Sequence, residues 1–202
     1  MSVTSLPARP ATLGDALAAR LSPTTRAVVL VAAGVALTAL AAQLQFKVPG
    51  NPVPFTGQTA AVLLTGAALG SRLGFVSMLL YIALGAVGLP IYSAGASGID
   101  QLLGVTGGYL VGFVVAAVVV GRLAERGWDR TLPRAVLLMI LGNLLIYAVG
   151  VPVLAMVAAM PAADALRLGA LNFVASDALK IAIAAGLLPL AWSVIGRGAR
   201  RA

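Results

Sequence analysis

The chain has 202 residues, 60% of them hydrophobic and only 10% charged, with a mean hydropathy of +1.02 and a formal net charge of +8. A soluble domain of this size cannot hide so much apolar surface, so the composition is that of an integral membrane protein. Cysteine and histidine are both absent, which excludes disulfides, thiolate metal sites, haem axial histidines and His-based catalytic triads.

Residues 1–25 are mixed in character, with Pro7, Pro10, Pro23, Arg9 and Arg20, and read as a soluble tail. The run 27–44 is the first predicted membrane helix; a signal peptide is the weaker reading, because the region before it is too long for a typical n-region. "QFKVPGNPVPFTGQT" follows, with three prolines and two glycines in fifteen residues, a density no straight helix tolerates. Thr56 is placed to cap a helix over 57–70, which is short for a full crossing of about 20 residues. "GSRLG" makes a tight turn into a helix over 73–87. A glycine-rich external loop, 88–110, leads into a helix over about 106–122. After the polar loop "GRLAERGWDRTLPR" come an apolar run over 135–160 and a last helix over 171–194. The expected architecture is therefore an all-α integral membrane protein of six transmembrane helices, with a cytoplasmic tail over 1–25, a membrane domain over 26–196 and a basic cytoplasmic tail over 197–202.

The basic residues set the orientation. Six spans put both termini on one side, together with Arg9, Arg20, Arg26, Arg72, Arg122, Arg126, Arg130, Arg134, Arg197, Arg200 and Arg201; the other side holds Lys47 and Arg167. The positive-inside rule then makes the termini cytoplasmic. The basic excess is a topology signal, so no nucleic-acid partner is expected. Small residues recur at helix-packing intervals, at Ala32 and Ala36, Gly66 and Gly70, and Gly70 and Gly74. They suit close backbone approach inside the bundle; for Ala32 and Ala36, contact with a separate membrane partner is the other reading.

"NFVASDALKIAIAAGLLPLAW" (172–192) carries the sharpest chemical signal. Asp177 and Lys180 lie three residues apart and share one helix face. Near a helix centre each charge costs about 2.5–3.5 kcal/mol, so the unpaired two would cost roughly 5–7 kcal/mol. Three readings are open at this point: a structural ion pair that fixes helix register, a polar ligand site in the outer third of the helix, or a proton relay through Asp177. Asn143 is the only amide in the fifth apolar run, and Tyr147 follows one turn further on the same face; an interhelical hydrogen bond and a ligand contact both fit it. Gln58 lies at a helix N-terminus, where free N–H groups favour anionic or carbonyl ligand atoms. Tyr92, Asp100 and Tyr109 bracket the glycine-rich loop, which is either a lid or a passive connector. No G-x-x-x-x-G-K-[ST] loop exists, and the only lysines are Lys47 and Lys180. Any ATP-driven step must therefore come from another subunit.

Taken in order, "NPVPFTGQT", "LGSRLG", "YIALGAVGLPIY", "GVTGGYLVGF", "GNLLIYAVG" and "SDALKIAIA" resemble the BioY family, the biotin-binding S components of energy-coupling factor (ECF) transporters. The resemblance covers about Leu30 to Leu188. It implies a six-helix ECF S-component-like bundle that binds biotin near the extracytoplasmic side of the cell membrane, with a transmembrane coupling subunit and two cytoplasmic ATPases as partners and lipid around it. It implies no enzymatic activity, no cofactor and no metal. Ala32 and Ala36 would dock the coupling subunit. Asn143, Asp177 and Lys180 would be the polar ligand residues, with Thr56, Gln58, Tyr92, Gly107, Gly108 and Tyr109 as lining or lid; Tyr147 joins the expected site from the helix face it shares with Asn143. The chain departs from the family's pattern at Gly57, Val105 and Val153.

Two other classes compete: a Ser–Lys hydrolase built on Ser176 and Lys180, in which Asp177 would spoil the lysine as a base, and an ion-coupled channel using Asp177. An S component for another small vitamin is the alternative within the transport reading. Whether the protein works alone, as a homo-oligomer or with partners is open at the level of sequence.

Overall fold

In hydrocarbon a backbone must satisfy its own hydrogen bonds, so each long apolar run becomes a helix. The computed structural model describes residues 12–198, with side chains described as far as Ile195. Its helices are α1 (Leu13–Leu17), α2 (Pro23–Gln43), α3 (Gln58–Ala86), α4 (Ile99–Leu103), α5 (Gly107–Glu125), α6 (Leu132–Val157), α7 (Ala162–Gly169) and α8 (Val174–Gly198). Start signals are in place: Ser22 accepts the Thr25 N–H at 3.3 Å and Pro23 opens α2, where the missing N–H costs nothing. Residues 1–11 and 199–202, which hold the remainder of the two expected tails with Arg9, Arg200 and Arg201, lie outside the described residues.

Among the described residues, five helical stretches are long and apolar enough to cross a membrane: α2, α3, α5, α6 and Ala162–Ile195. The sixth expected pass comes from α3, which doubles back at Gly70 (φ 80°, ψ 175°). A Cβ on Gly74 would stand 3.2 Å from the Gly66 Cα, and Gln58 Nε2 donates to Tyr81 Oη at 2.8 Å. The arms 58–69 and 71–86 therefore run antiparallel in contact. At about 1.5 Å per residue they are only about 18 and 24 Å long, less than the ~30 Å hydrocarbon core. Gly66 also lies against the Ala117 carbonyl of α5, so these small residues serve the bundle itself. Ala32 and Ala36 do not: both are exposed on α2, beside Val28, Val29, Leu37 and Leu40.

The bundle centres on α5, which packs mainly against α3 and α6. Tyr81, Met78, Leu63, Met139 and Ile146 are fully buried between these helices, while Leu79, Val111, Leu144, Leu179 and Leu190 point outward. Apolar side chains thus face both the core and the lipid.

The Gly70 end is tied by polar contacts. Glu125 accepts from the Ser71 N–H and Oγ, both at 2.8 Å, and meets Arg122 at 3.4 Å. Asp129, fully buried in the loop after α5, accepts from Trp192 Nε1 at 2.5 Å, and the Arg130 guanidinium lies 4.5 Å from the centroid of the same indole. Burial pushes the Asp129 carboxyl up, against the pull of the Trp192 hydrogen bond. Residues 12–25, expected as tail, carry α1, whose Leu13 is buried and whose Asp15 meets Arg26 at 3.7 Å. From Thr12 onward the chain is docked on the bundle, because a short apolar turn beside a groove of leucines gains more from burial than from water.

At the opposite end, two pieces of chain have a form not expected from sequence. The Pro-rich segment contains a two-stranded antiparallel hairpin, β1 (Gln45–Phe46) with β2 (Phe55–Thr56). Thr56 is accordingly the last strand residue; its hydroxyl accepts the Gln58 N–H at 3.3 Å, and Gly57 holds the cap position. "PAADALRLG" forms the amphipathic α7.

Gly70→Ala tests the reversal. Its Cβ would sit 2.8 Å from Glu125 Oε1 on a left-handed backbone, and a loss of about 1–3 kcal/mol is expected. A lower unfolding midpoint, followed by Trp128 and Trp192 fluorescence in detergent, would agree; an unchanged midpoint would not.

Candidate functional site

The short arms of α3 leave the end away from Gly70 to loops, and a cavity of about 530 Å³ opens there. Its roof is the hairpin, with Lys47, Pro52, Val53 and Pro54. One wall is the loop 87–106, contributing Tyr92, Ala94, Ala96 and Asp100; the other is α5, contributing Tyr109, Leu110 and Phe113. Thr56, Gln58, Thr59, Tyr147, Phe173 and Lys180 close it toward the bundle.

Aromatic stacking holds the roof. Phe46 stacks on Phe55 with centroids 4.7 Å apart, and Phe55 on Phe173 at 4.1 Å, so the hairpin is fastened to the start of α8. Asn51 Oδ1 accepts the Val53 N–H at 3.1 Å and shapes the turn. The loop 87–106 is equally anchored. Gln43, at the end of α2, donates to the Tyr92 carbonyl at 3.1 Å and accepts the Gly95 N–H at 3.0 Å. Tyr81 Oη donates to the Ile91 carbonyl at 3.0 Å and Tyr92 Oη to that of Ile82 at 2.6 Å. Burial raises the Tyr92 phenol above its ordinary value. Ala94 sits in the left-handed region (φ 58°) on the cavity wall, a conformation this tethering sustains.

The floor is ionic. Lys180 Nζ is 3.1 Å from Asp177 Oδ1 and 3.4 Å from Thr59 Oγ1, while Tyr147 Oη donates to Asp177 Oδ2. The Asp177 side chain is only 5% exposed against 19% for Lys180, so the lysine meets the cavity and the carboxylate stands behind it. Each carboxylate oxygen has a partner, as a buried charge requires.

The expected site residues separate into two groups. Thr56, Gln58, Tyr92, Tyr109, Tyr147 and Lys180 line the cavity; Asn143, Asp177, Gly107 and Gly108 do not. Asn143 lies one turn below Tyr147, in a crevice with Thr59, Met139 and Lys180 that has no room for a water. Its Oδ1 is buried without a partner among the described residues. Gly107 and Gly108 act by absence of a side chain: Cβ atoms there would stand 1.8 Å from the Leu102 carbonyl oxygen and 2.5 Å from Val153 Cβ. Tyr109 donates to the Gly169 carbonyl at 2.9 Å and fixes α5 to α7. Sequence reasoning missed Lys47, Thr59 and the Phe46–Phe55–Phe173 stack; Phe46, Phe55 and Phe173 are three of only five phenylalanines, which was the available signal.

Ser176 Oγ donates to the Phe173 carbonyl at 3.0 Å, and Lys180 is engaged by Asp177, so no Ser–Lys dyad is assembled. An aromatic chamber with a polar floor suits a small amphiphilic molecule, and its volume falls within the ~300–1,000 Å³ usual for such sites.

Comparisons with known proteins agree. The model of the BioY family matches residues 12–197. A probable biotin transporter BioY of Lysinibacillus sphaericus is 44% identical over 130 residues, 64% of this chain and 65% of that protein, just under two thirds of its length. One of the same name from Pyrococcus horikoshii is 39% identical over 155 residues, 77% of this chain and 89% of the relative. The biotin transporter BioY of Thermotoga maritima is 35% identical, covering 81% and 85%. Among solved structures, an S-component for biotin from an ECF-type ABC transporter is similar with a TM-score of 0.76, covering 84% of this chain and 93% of that one at 20% identity, a likeness of fold.

Tyr147→Phe keeps the ring and removes the donor to Asp177. Leaving a buried carboxylate oxygen without its bond is expected to cost about 1–3 kcal/mol, read as a drop in thermal midpoint. An unchanged midpoint would mean that Asp177 does not depend on this bond.

Proposed function

The chain belongs to the BioY family, a family of transport proteins and not of enzymes, and from that premise we propose that it captures biotin in the cavity beneath the hairpin and delivers it to an ECF-type uptake machinery. The observation that carries this reading is the pairing of an aromatic chamber with the Tyr147–Asp177–Lys180 floor in one enclosed space. Biotin has a thioether ring and an alkyl chain that suit Phe113, Tyr109 and Phe173. It also has a ureido group and a carboxylate that need polar partners, supplied here by Lys180, Tyr147, Gln58 and Thr56.

The cavity opens at the end holding Lys47 and Arg167, away from Arg72, Arg122, Arg126, Arg130 and Arg134. Charge asymmetry of this kind supports a cell-membrane orientation in which the cavity faces the extracytoplasmic side and both termini are cytoplasmic. The chain has no phosphate-binding loop, so release of biotin into the cell falls to partners: a transmembrane coupling subunit driven by two ATPase subunits. The exposed stripe of Ala32 and Ala36 on α2 is the docking face in this reading, because small side chains let a partner helix approach closely in lipid.

Equilibrium binding of labelled biotin to the purified full chain in detergent tests the proposal. Saturable binding at one site per chain, displaced by unlabelled biotin and not by thiamine or riboflavin, is expected. No saturable biotin binding, or displacement by another vitamin instead, would overturn it.

A further inference from the structure

The floor of the cavity is already electrically balanced. Asp177 accepts from Lys180 on one oxygen and from Tyr147 on the other. Lys180 spends two of its three N–H donors on Asp177 and Thr59. A ligand carboxylate brought here would place a second anion beside a buried one, with a single ammonium for both, and like charges at such range disfavour each other. A neutral polar group fits better: its carbonyl takes the remaining Lys180 N–H, and no net charge enters the bundle.

The mouth is different. Lys47 follows β1 in the roof, is exposed, and lines the same cavity. Among the described residues, none of the ion pairs involves it. Asp100 lines the cavity from α4, in the opposite loop, and would repel an anion on its own side.

We infer that Lys47 receives the ligand's carboxylate, so that the ligand lies with its neutral polar ring on the Lys180–Tyr147 floor and its acid at the mouth under the hairpin. This assignment rests on the reading of the cavity as a biotin site. It makes Lys47 the residue that distinguishes the free acid from its neutral derivatives, and it explains why the site contains two lysines with different partners. An ammonium at the exposed rim also draws an anionic ligand from solution, an effect that salt weakens.

The test compares biotin with biotin methyl ester on the full chain in detergent, for wild type, Lys47→Gln and Lys180→Met. Wild type is expected to prefer the acid. Lys47→Gln is expected to weaken acid binding about fivefold, the scale of a half-solvated ion pair, and to leave ester binding unchanged. Lys180→Met is expected to weaken acid and ester by the same factor. An acid-to-ester ratio unaltered by Lys47→Gln, or abolished by Lys180→Met, would overturn the assignment while wild-type biotin binding kept the underlying reading intact. Wild type binding neither compound would overturn both.

Discussion

An acid and a base on one face of a membrane helix set the terms for everything around them. Asp177 and Lys180 lie near the start of α8, where hydrocarbon would reject either one alone. Pairing at 3.1 Å removes the net charge, but a bare pair in a low-dielectric interior does not repay its own desolvation without further hydrogen bonds. Tyr147 from α6 and Thr59 from α3 supply them. Three helices are thereby held to one another by a single polar cluster, and of the ion pair itself the lysine, not the carboxylate, lines the cavity.

The architecture around the cluster follows from length. The two arms of α3 are too short to fill the membrane's thickness, so the end away from Gly70 is built from a strand hairpin and a tethered loop. Irregular backbone at membrane depth is tolerated where it is buried in protein or lines a cavity, and both conditions hold here. The hydrogen bonds of Gln43 and Tyr81 to the loop backbone, and of Tyr92 back to the Ile82 carbonyl of α3, tie the loop to the bundle, while the Phe46–Phe55–Phe173 stack fastens the roof. The opposite end is closed by Glu125 on the Ser71 turn and by Asp129 on Trp192. One end is knitted shut and the other encloses space; a one-sided binding protein needs that asymmetry, and a channel with polar groups through its full depth would not have it.

Much of this was legible in the sequence. Asp177 and Lys180 stand out because the other charges of the long apolar helices sit in the first or last turns on the arginine-rich side or at the Gly70 reversal, and "LGSRLG" announces a reversal because only glycine takes the backbone of residue 70 without strain. What could not be read concerns rotation and reach. Asn143 and Tyr147 share a helix face, yet the longer tyrosine arrives at the cavity while the amide stops a turn below it. The hairpin was hidden by prolines that signal only the end of a helix. Phe55 and Phe173 are far apart in the chain and meet through tertiary packing that leaves no local trace. Lys47 was legible only as one of two cations on the sparsely charged side, with no local signal that it faces a cavity. Because apolar residues face both lipid and core, helix periodicity carried little information about which side was which.

The central claim is that the buried pair is kept for the sake of the cavity above it and not for the stability of the bundle. Asp177→Asn combined with Lys180→Met removes both charges at similar volume, and the direct measurement is the unfolding midpoint and the biotin affinity of that double variant in the same detergent. The expected result is a midpoint close to that of wild type, since a neutral replacement of both partners leaves no buried charge uncompensated and the amide oxygen at 177 can still accept from Tyr147, together with at least about a tenfold loss of affinity, or about 1.4 kcal/mol. A double variant that held biotin as tightly as wild type would contradict it.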